Sequence, residues 1–275
     1  MVSWCSKRLA LLFLLFFFSV TSLVQGQEKG REYHVPVGCE CVELFAEGSV
    51  EQGALYLIRE FSNRLPFLIA GPIAVPLTGD IDGVIYLTVD MPYTDIHWLD
   101  LECFVSGESG LFYCENNGEK HLLIGTDGMI TSFGLSTEGI FFIEKDCLLY
   151  KRFGEGGVMA IIHADKAIGP LSVIDNICFF SVGKDIYAYR ESNLVKIYSA
   201  PSEVLALAVH PDGSVFFGTG SSVNCITPDL REVEIVHSPT RSLDLIGDNL
   251  YISFLDGSLS MITNISLFCQ SEPTD

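Results

Sequence analysis

Cationic side chains are scarce in this 275-residue chain: 16 Lys and Arg stand against 35 Asp and Glu, a formal charge of −19. A surface of that sign repels phosphate and anionic lipid, which excludes a nucleic-acid binder that works by neutralising backbone charge. Charged residues of both signs reach only 19% against 48% hydrophobic, too much apolar surface for a disordered or solvating chain. No segment after the first 26 residues is long and apolar enough to cross a bilayer, which needs about 20 residues. The polar end Ser271–Asp275 is not a lipid-anchor signal either. No Gly-x-Ser-x-Gly elbow exists, since Gly107-Glu-Ser-Gly110 misses the spacing. The six histidines, His34, His97, His121, His163, His210 and His237, form no His-x-x-x-His pair. Past residue 26 no helical period holds for more than about two turns.

What is present begins with an address. Lys7 and Arg8 precede an apolar run from Leu9 to Val20, and Val24-Gln25-Gly26 supplies a cleavage site. This is the layout of a secretory signal peptide cut after Gly26, with an uncleaved signal anchor as the alternative. Cleavage leaves 14 cations against 35 anions, a charge of −21. The expected location is therefore extracellular or the secretory lumen. Eight cysteines remain: Cys39, Cys41, Cys103, Cys114, Cys147, Cys178, Cys225 and Cys269. An even number in an oxidising compartment invites disulfides. Cys103 and Cys114 flank a candidate hairpin, and Cys39 or Cys41 could reach Cys269 and close the fold. Cys147, Cys178 and Cys225 lie in apolar runs and read as buried small hydrophobes. A zinc site is disfavoured because Cys39-x-Cys41 lacks a second ligand pair. Asn264-Ile265-Ser266 is an N-glycosylation sequon, which would mark an exposed position.

From residue 50 a phrase recurs, a turn residue followed by a β-rich apolar run with an aromatic. It starts at Gly53, Gly83, Gly110, Gly139, Asn176, Gly213 and Asn249, at intervals of 30, 27, 29, 37, 37 and 36 residues. Repeats of this length mean a solenoid, a propeller or an array. Asp-Gly, Asn-Gly and Gly-Asp punctuation marks the units as antiparallel sheets. The last two units read as four strands each: 204–209, 215–218, 222–226 and 232–237, then 242–246, 250–254, 258–262 and 265–269. Four strands per unit is the content of a β-propeller blade. The expected fold is thus an all-β propeller of seven small blades, with six or even five as the alternative and some early blades incomplete. A β-sandwich pair and a β-trefoil are the competing folds. The expected organisation is a signal peptide over 1–26, an N-terminal segment over 27–41, the propeller over 42–269 and a tail over 270–275, with the two ends pairing to close the ring.

The stretch Leu205-Ala-Leu-Ala-Val-His-Pro-Asp-Gly-Ser-Val-Phe-Phe-Gly218 resembles the strand–turn–strand phrase of NHL-type and regucalcin-like propellers. Asn249-Leu-Tyr-Ile-Ser-Phe-Leu-Asp-Gly-Ser-Leu259 is similar to PQQ-like blades. The tryptophan that docks blades in PQQ-like families has no counterpart, because the only Trp past residue 26 is Trp98, so no quinone cofactor is implied. The regucalcin-like resemblance implies an axial metal held by carboxylates and an Asn from different blades, though no set of residues here matches it one by one.

Carboxylates crowd between Asp80 and Glu102, with Asp82, Asp90, Asp95 and Asp100 between them. Hard cations take several oxygen ligands, so Asp80 and Asp82 are weak candidates for a metal site and calcium is the one cofactor left open. The calcium-loop register fails at Val84 and Met91, which favours a solvated acidic face. His163-Ala-Asp165 is a weak catalytic candidate. The leading expectation is a non-catalytic, secreted interaction platform whose acidic rim, with Asp80 to Asp82, Asn116 to Glu119 and Glu155 as candidate positions, steers a basic protein partner. The alternative is a calcium-dependent hydrolase or lactonase of the regucalcin-like type, and a third reading is a subunit that binds its own copies.

Overall fold

The computed structural model describes residues 31–45, 56–61, 65–70, 73–77, 85–86, 93–99, 102–115, 119–153 and 156–269. One compact unit spans Glu32–Asp275, and its described residues form six four-stranded antiparallel sheets.

Strand β1 (Cys41–Phe45) comes first in the chain and joins the last sheet. The first complete sheet holds β2 (Tyr56–Phe61), β3 (Leu65–Ala70), β4 (Ile73–Pro76) and β5 (Ile85–Tyr86). The second holds β6 (Asp95–Leu99), β7 (Glu102–Gly107), β8 (Gly110–Cys114) and β9 (Lys120–Gly125). The third holds β10 (Ile130–Ser136), β11 (Gly139–Glu144), β12 (Leu148–Arg152) and β13 (Val158–His163). The fourth holds β14 (Ile168–Ile174), β15 (Ile177–Val182), β16 (Asp185–Arg190) and β17 (Asn193–Ser199). The fifth holds β18 (Ala206–Val209), β19 (Val215–Gly218), β20 (Val223–Ile226) and β21 (Glu232–Val236). The last holds β22 (Thr240–Ile246), β23 (Asn249–Phe254) and β24 (Leu259–Thr263), with β1 paired on the outer side of β24.

The molecule is an all-β propeller. Each sheet packs a cluster of buried side chains against the next. Phe67, Ile69, Ile96 and Val105 fill one seam, and Phe104, Leu111, Ile130 and Phe142 fill the following one. Leu68 meets Ile246, Tyr251 and Leu259 where the last sheet adjoins the first. Burial on both faces explains why β18, β19 and β20 are buried at every position. They therefore read as continuous apolar runs rather than as alternating strands. Outermost strands such as β17 are largely exposed.

The expected seven blades and incomplete early blades are corrected by this topology. Of the first two phrases the described residues fall in β2 and β5 of one sheet, and the phrase at Gly110 opens the third strand of its sheet. Only the last four mark second strands. Those second strands start at 65, 102, 139, 177, 215 and 249, so the true period of about 37 residues runs from the beginning. Leu65-Pro-Phe-Leu-Ile-Ala70 and Glu102-Cys-Phe-Val-Ser-Gly107 lack the immediately preceding Gly or Asn and aromatic-rich run of the later four.

Ring closure also differs in detail. Residues 265–269, expected as a strand, form a 3₁₀ turn. The fourth strand comes instead from the N-terminal side, with Cys41 opposite Ile262 and Val42 opposite Met261. The Tyr33 hydroxyl donates to Ser260 Oγ at 2.9 Å, and His34 N donates to Ile235 O at 2.7 Å. Pairing of both chain ends in one sheet removes the exposed edge that an open array would present.

Candidate functional site

The first strands β2, β6, β10, β14, β18 and β22 surround an axial cavity of about 1040 Å³. Its polar centre is built from three of them. On β6, residues two apart share a face, so Asp95 and His97 both line the cavity. Arg59 of β2 lies between two carboxylates: Nη2 is 2.6 Å from Asp95 Oδ1, and Nη1 is 2.6 Å from Asp244 Oδ1 of β22. Its Nε donates to Ile96 O at 3.0 Å.

Asp95 is buried and saturated. Oδ1 accepts from Arg59 Nη2 and from Ile96 N at 2.9 Å. Oδ2 accepts from Ser132 Oγ at 3.2 Å and Phe133 N at 3.3 Å, and lies 3.4 Å from His97 Nε2. Burial alone would raise its pKa, but Arg59 and His97 outweigh it and hold the carboxyl well below the usual carboxylate range. Burial likewise opposes the charge on Arg59, and Asp95 and Asp244 outweigh it to raise the guanidinium further. Asp244 goes the other way, pushed up by burial and by the neighbouring Asp95 charge against the pull of Arg59. Its Oδ2 is buried with no hydrogen-bond partner among the described residues.

An ionised carboxylate only accepts, so Nε2 is the His97 nitrogen that carries a proton toward Asp95. The ring is held edge-on to Phe133, centroids 4.7 Å apart. Near the far ends of β18 and β22 a second histidine bridges two turns: His210 Nδ1 is 2.9 Å from Asp212 Oδ2, and Nε2 is 3.5 Å from Asp248 Oδ1.

The axial carboxylates do not fit a bound cation while Arg59 stands between them. Asp95 spends its lone pairs on five protein donors, and the charge between Asp95 and Asp244 is already supplied by Arg59. Among the described residues the one triple with metal-ligand chemistry is Glu115, Glu119 and His121, partly to fully exposed on the β8–β9 hairpin. His121 Nε2 lies 3.0 Å from Glu115 Oε1 there.

Of the sites expected from sequence, Asp80 and Asp82 lie outside the described residues, as do Asn116, Glu155 and the side chain of Cys269. Cys103 and Cys114 face each other in register across β7 and β8. Among the described residues no disulfide joins them, nor does one engage Cys39, Cys41, Cys147, Cys178 or Cys225. Cys39 Sγ donates to Asn264 O at 3.4 Å. Asn264 is exposed, but its Nδ2 is engaged by Gly38 O at 2.9 Å. His163 and Asp165 are exposed beside an outermost strand, away from the axis. Arg59 and Asp244 were not singled out in the sequence. The available signal was charge inside an otherwise apolar strand, Arg59-Glu60 in Tyr56-Leu-Ile-Arg-Glu-Phe61 and Asp244 in Ser242-Leu-Asp-Leu-Ile246.

No family model matches the chain, and no curated protein matches it. Solved structures do. A gluconolactonase from Xanthomonas campestris is 11% identical with a TM-score of 0.64, covering 87% of this chain and 96% of that one. A virginiamycin B lyase from Staphylococcus aureus is 11% identical with a TM-score of 0.56, covering 82% and 99%. A computationally designed protein is 16% identical with a TM-score of 0.53, covering 75% and 70%. Together with the radial sheets and the axial cavity, these likenesses place the chain in the β-propeller class. At such identities they establish architecture, and chemistry rests on the residues at the axis.

Proposed function

We propose that the axial cavity is the active site of a lactonase-type hydrolase working in the secretory pathway or outside the cell. The observation that carries this reading is the Asp95–His97 couple facing a cavity of about 1040 Å³. Asp95 fixes the tautomer, and His97 Nδ1 takes a proton from water as its oxygen attacks the acyl carbon of a cyclic ester. The C–O bond to the ring oxygen then breaks. The His97 imidazolium then returns its proton to that oxygen, while Arg59 stays paired with both carboxylates. Support from the comparisons is limited to fold, one of the similar structures being described as a gluconolactonase and another as a lyase.

Turnover of a panel of γ- and δ-lactones by the purified chain tests the reading. His97→Ala should lower kcat/KM by about 10²–10⁴-fold with the melting temperature kept. Absence of turnover on every lactone and aryl ester, at any pH from 5 to 9, would sink it. The second reading is an interaction platform for a basic protein, favoured by the formal charge of −19. That reading calls for salt-sensitive capture of a cationic partner that is indifferent to His97→Ala.

A further inference from the structure

We propose that Arg59 is a tethered substitute for a divalent cation, and that its side chain covers a latent oxygen-ligand metal site at the propeller axis. The inference concerns binding and does not depend on the hydrolytic reading. Arg59, Asp95 and Asp244 come from three different sheets, and the guanidinium holds both carboxylates at 2.6 Å. Side-chain exposures of 15% for Arg59, 5% for Asp95 and 15% for Asp244 mean that this charge balance is made largely out of water. Two carboxylates so placed need a positive charge between them.

The atoms that touch or surround the guanidinium are hard oxygen donors. They are the Asp95 and Asp244 carboxylates and the Ile96 carbonyl, with the Ser132 hydroxyl on the far side of Asp95. A set of carboxylate, carbonyl and hydroxyl oxygens suits calcium, magnesium or manganese rather than a soft metal. Asp244 Oδ2, buried and unpartnered among the described residues, is a further oxygen that a spherical ion could engage and a planar guanidinium on Oδ1 does not. Shortening Arg59 would vacate the space between these oxygens and leave the charge of both carboxylates uncompensated.

The test compares calcium binding by the full chain, Arg59→Ala and Arg59→Ala/Asp244→Asn. All three carry Glu119→Gln, so that the exposed Glu115–Glu119–His121 cluster does not contribute. Calorimetry and thermal unfolding are the readouts. The parent should bind no calcium, and its melting temperature should not move between a chelator and 10 mM calcium. Arg59→Ala should gain one saturable site. Its melting temperature should rise by about 5–10 °C at a calcium concentration 100 times the dissociation constant, and Asp244→Asn should abolish the gain. If Arg59→Ala does not fold alone, recovery of a cooperative transition in calcium, absent in the double variant, supports the proposal equally. Stoichiometric calcium on the parent that is lost with Asp244→Asn would overturn it. So would an Arg59→Ala that gains no site, whether folded or unrescued.

Discussion

Arg59 and Asp244 are 185 positions apart in the chain, and Nη1 of the first lies 2.6 Å from Oδ1 of the second. The contact joins β2 to β22, the first strands of the first and last sheets, which are neighbours only because the ring is closed. Ring closure thus fixes the charge arrangement at the axis, and the charges add an ionic tie across the same seam that Leu68 and Tyr251 fill with apolar surface.

Arg59→Met should therefore be costly. It leaves Asp95 and Asp244 buried beside each other without their shared counter-ion, a change worth about 3–5 kcal/mol. The triple variant Arg59→Met/Asp95→Asn/Asp244→Asn removes all three charges and should recover a large part of that loss. Urea unfolding measures both, provided the m-value is unchanged. An Arg59→Met as stable as the parent would show that the clamp contributes nothing.

This cluster also marks the limit of what the sequence discloses. The four-stranded units after residue 130 were legible because Gly139, Asn176, Gly213 and Asn249 each precede a second strand with buried aromatics. The units before residue 130 are miscounted because Leu65–Ala70 and Glu102–Gly107 occupy the same place without a glycine in front, and the glycine phrases there fall on other strands. Asp95 was visible only as part of an acidic stretch, and His97 only as one of six scattered histidines. Their shared face is a matter of two-residue spacing, but the partners Arg59 and Asp244 are brought by ring closure. No local pattern encodes a contact between residues 59 and 244.

Acidification should reveal the opposed shifts of the two axial carboxyls. Asp244 has a raised pKa in the fold, so the native state binds its proton before the unfolded chain does. Its contribution is stabilising below the unfolded value of about 4 and is lost as pH rises through the folded value. Asp95 has a lowered pKa, so its contribution is present above about pH 4 and is lost below it. Asp244→Asn should remove a gain in melting temperature between neutral pH and about pH 4, and Asp95→Asn should flatten the fall at lower pH. Melting temperatures of the parent and both variants from pH 3 to pH 7 check this. Superimposable profiles would contradict the opposed shifts.

Gly139 opens β11 at φ 143°, and a Cβ there would stand 1.9 Å from the carbonyl oxygen of Arg152 on the adjacent strand. Gly139→Ala must displace backbone at the seat of the repeated phrase, at a cost of about 1–3 kcal/mol. Gly157, where nothing lies within 4 Å of a Cβ, is the control, and Gly157→Ala should stay within about 0.5 kcal/mol of the parent. Equal denaturation midpoints for the two variants would refute the steric account.

Cys103 and Cys114 are direct cross-strand partners on β7 and β8, a spacing of Cα atoms that a disulfide can bridge. The hydrogen bond between the two thiols splits their acidities. It holds Cys114 down at about 7, with Lys120 and His121 adding to the effect against burial, and it raises Cys103 together with burial. A thiolate already in contact with its partner thiol is poised for exchange with a disulfide donor. Cys114 sulfur attacks one sulfur of the donor disulfide and expels one donor thiolate, Cys103 sulfur then attacks Cys114 sulfur and expels the second, and the two cysteine protons pass to the two released thiolates. The closed loop of about a dozen residues should add about 3 kcal/mol to stability. Incubation with oxidised glutathione followed by a non-reducing peptide map should find this pair linked first, ahead of Cys178 and Cys225, which are fully buried. Cys103→Ser should abolish the oxidation-dependent rise in melting temperature and leave Cys114 as a mixed disulfide with glutathione. Linkage of other cysteines ahead of these two, or no rise on oxidation, would exclude the pair as the fold's redox-responsive bond.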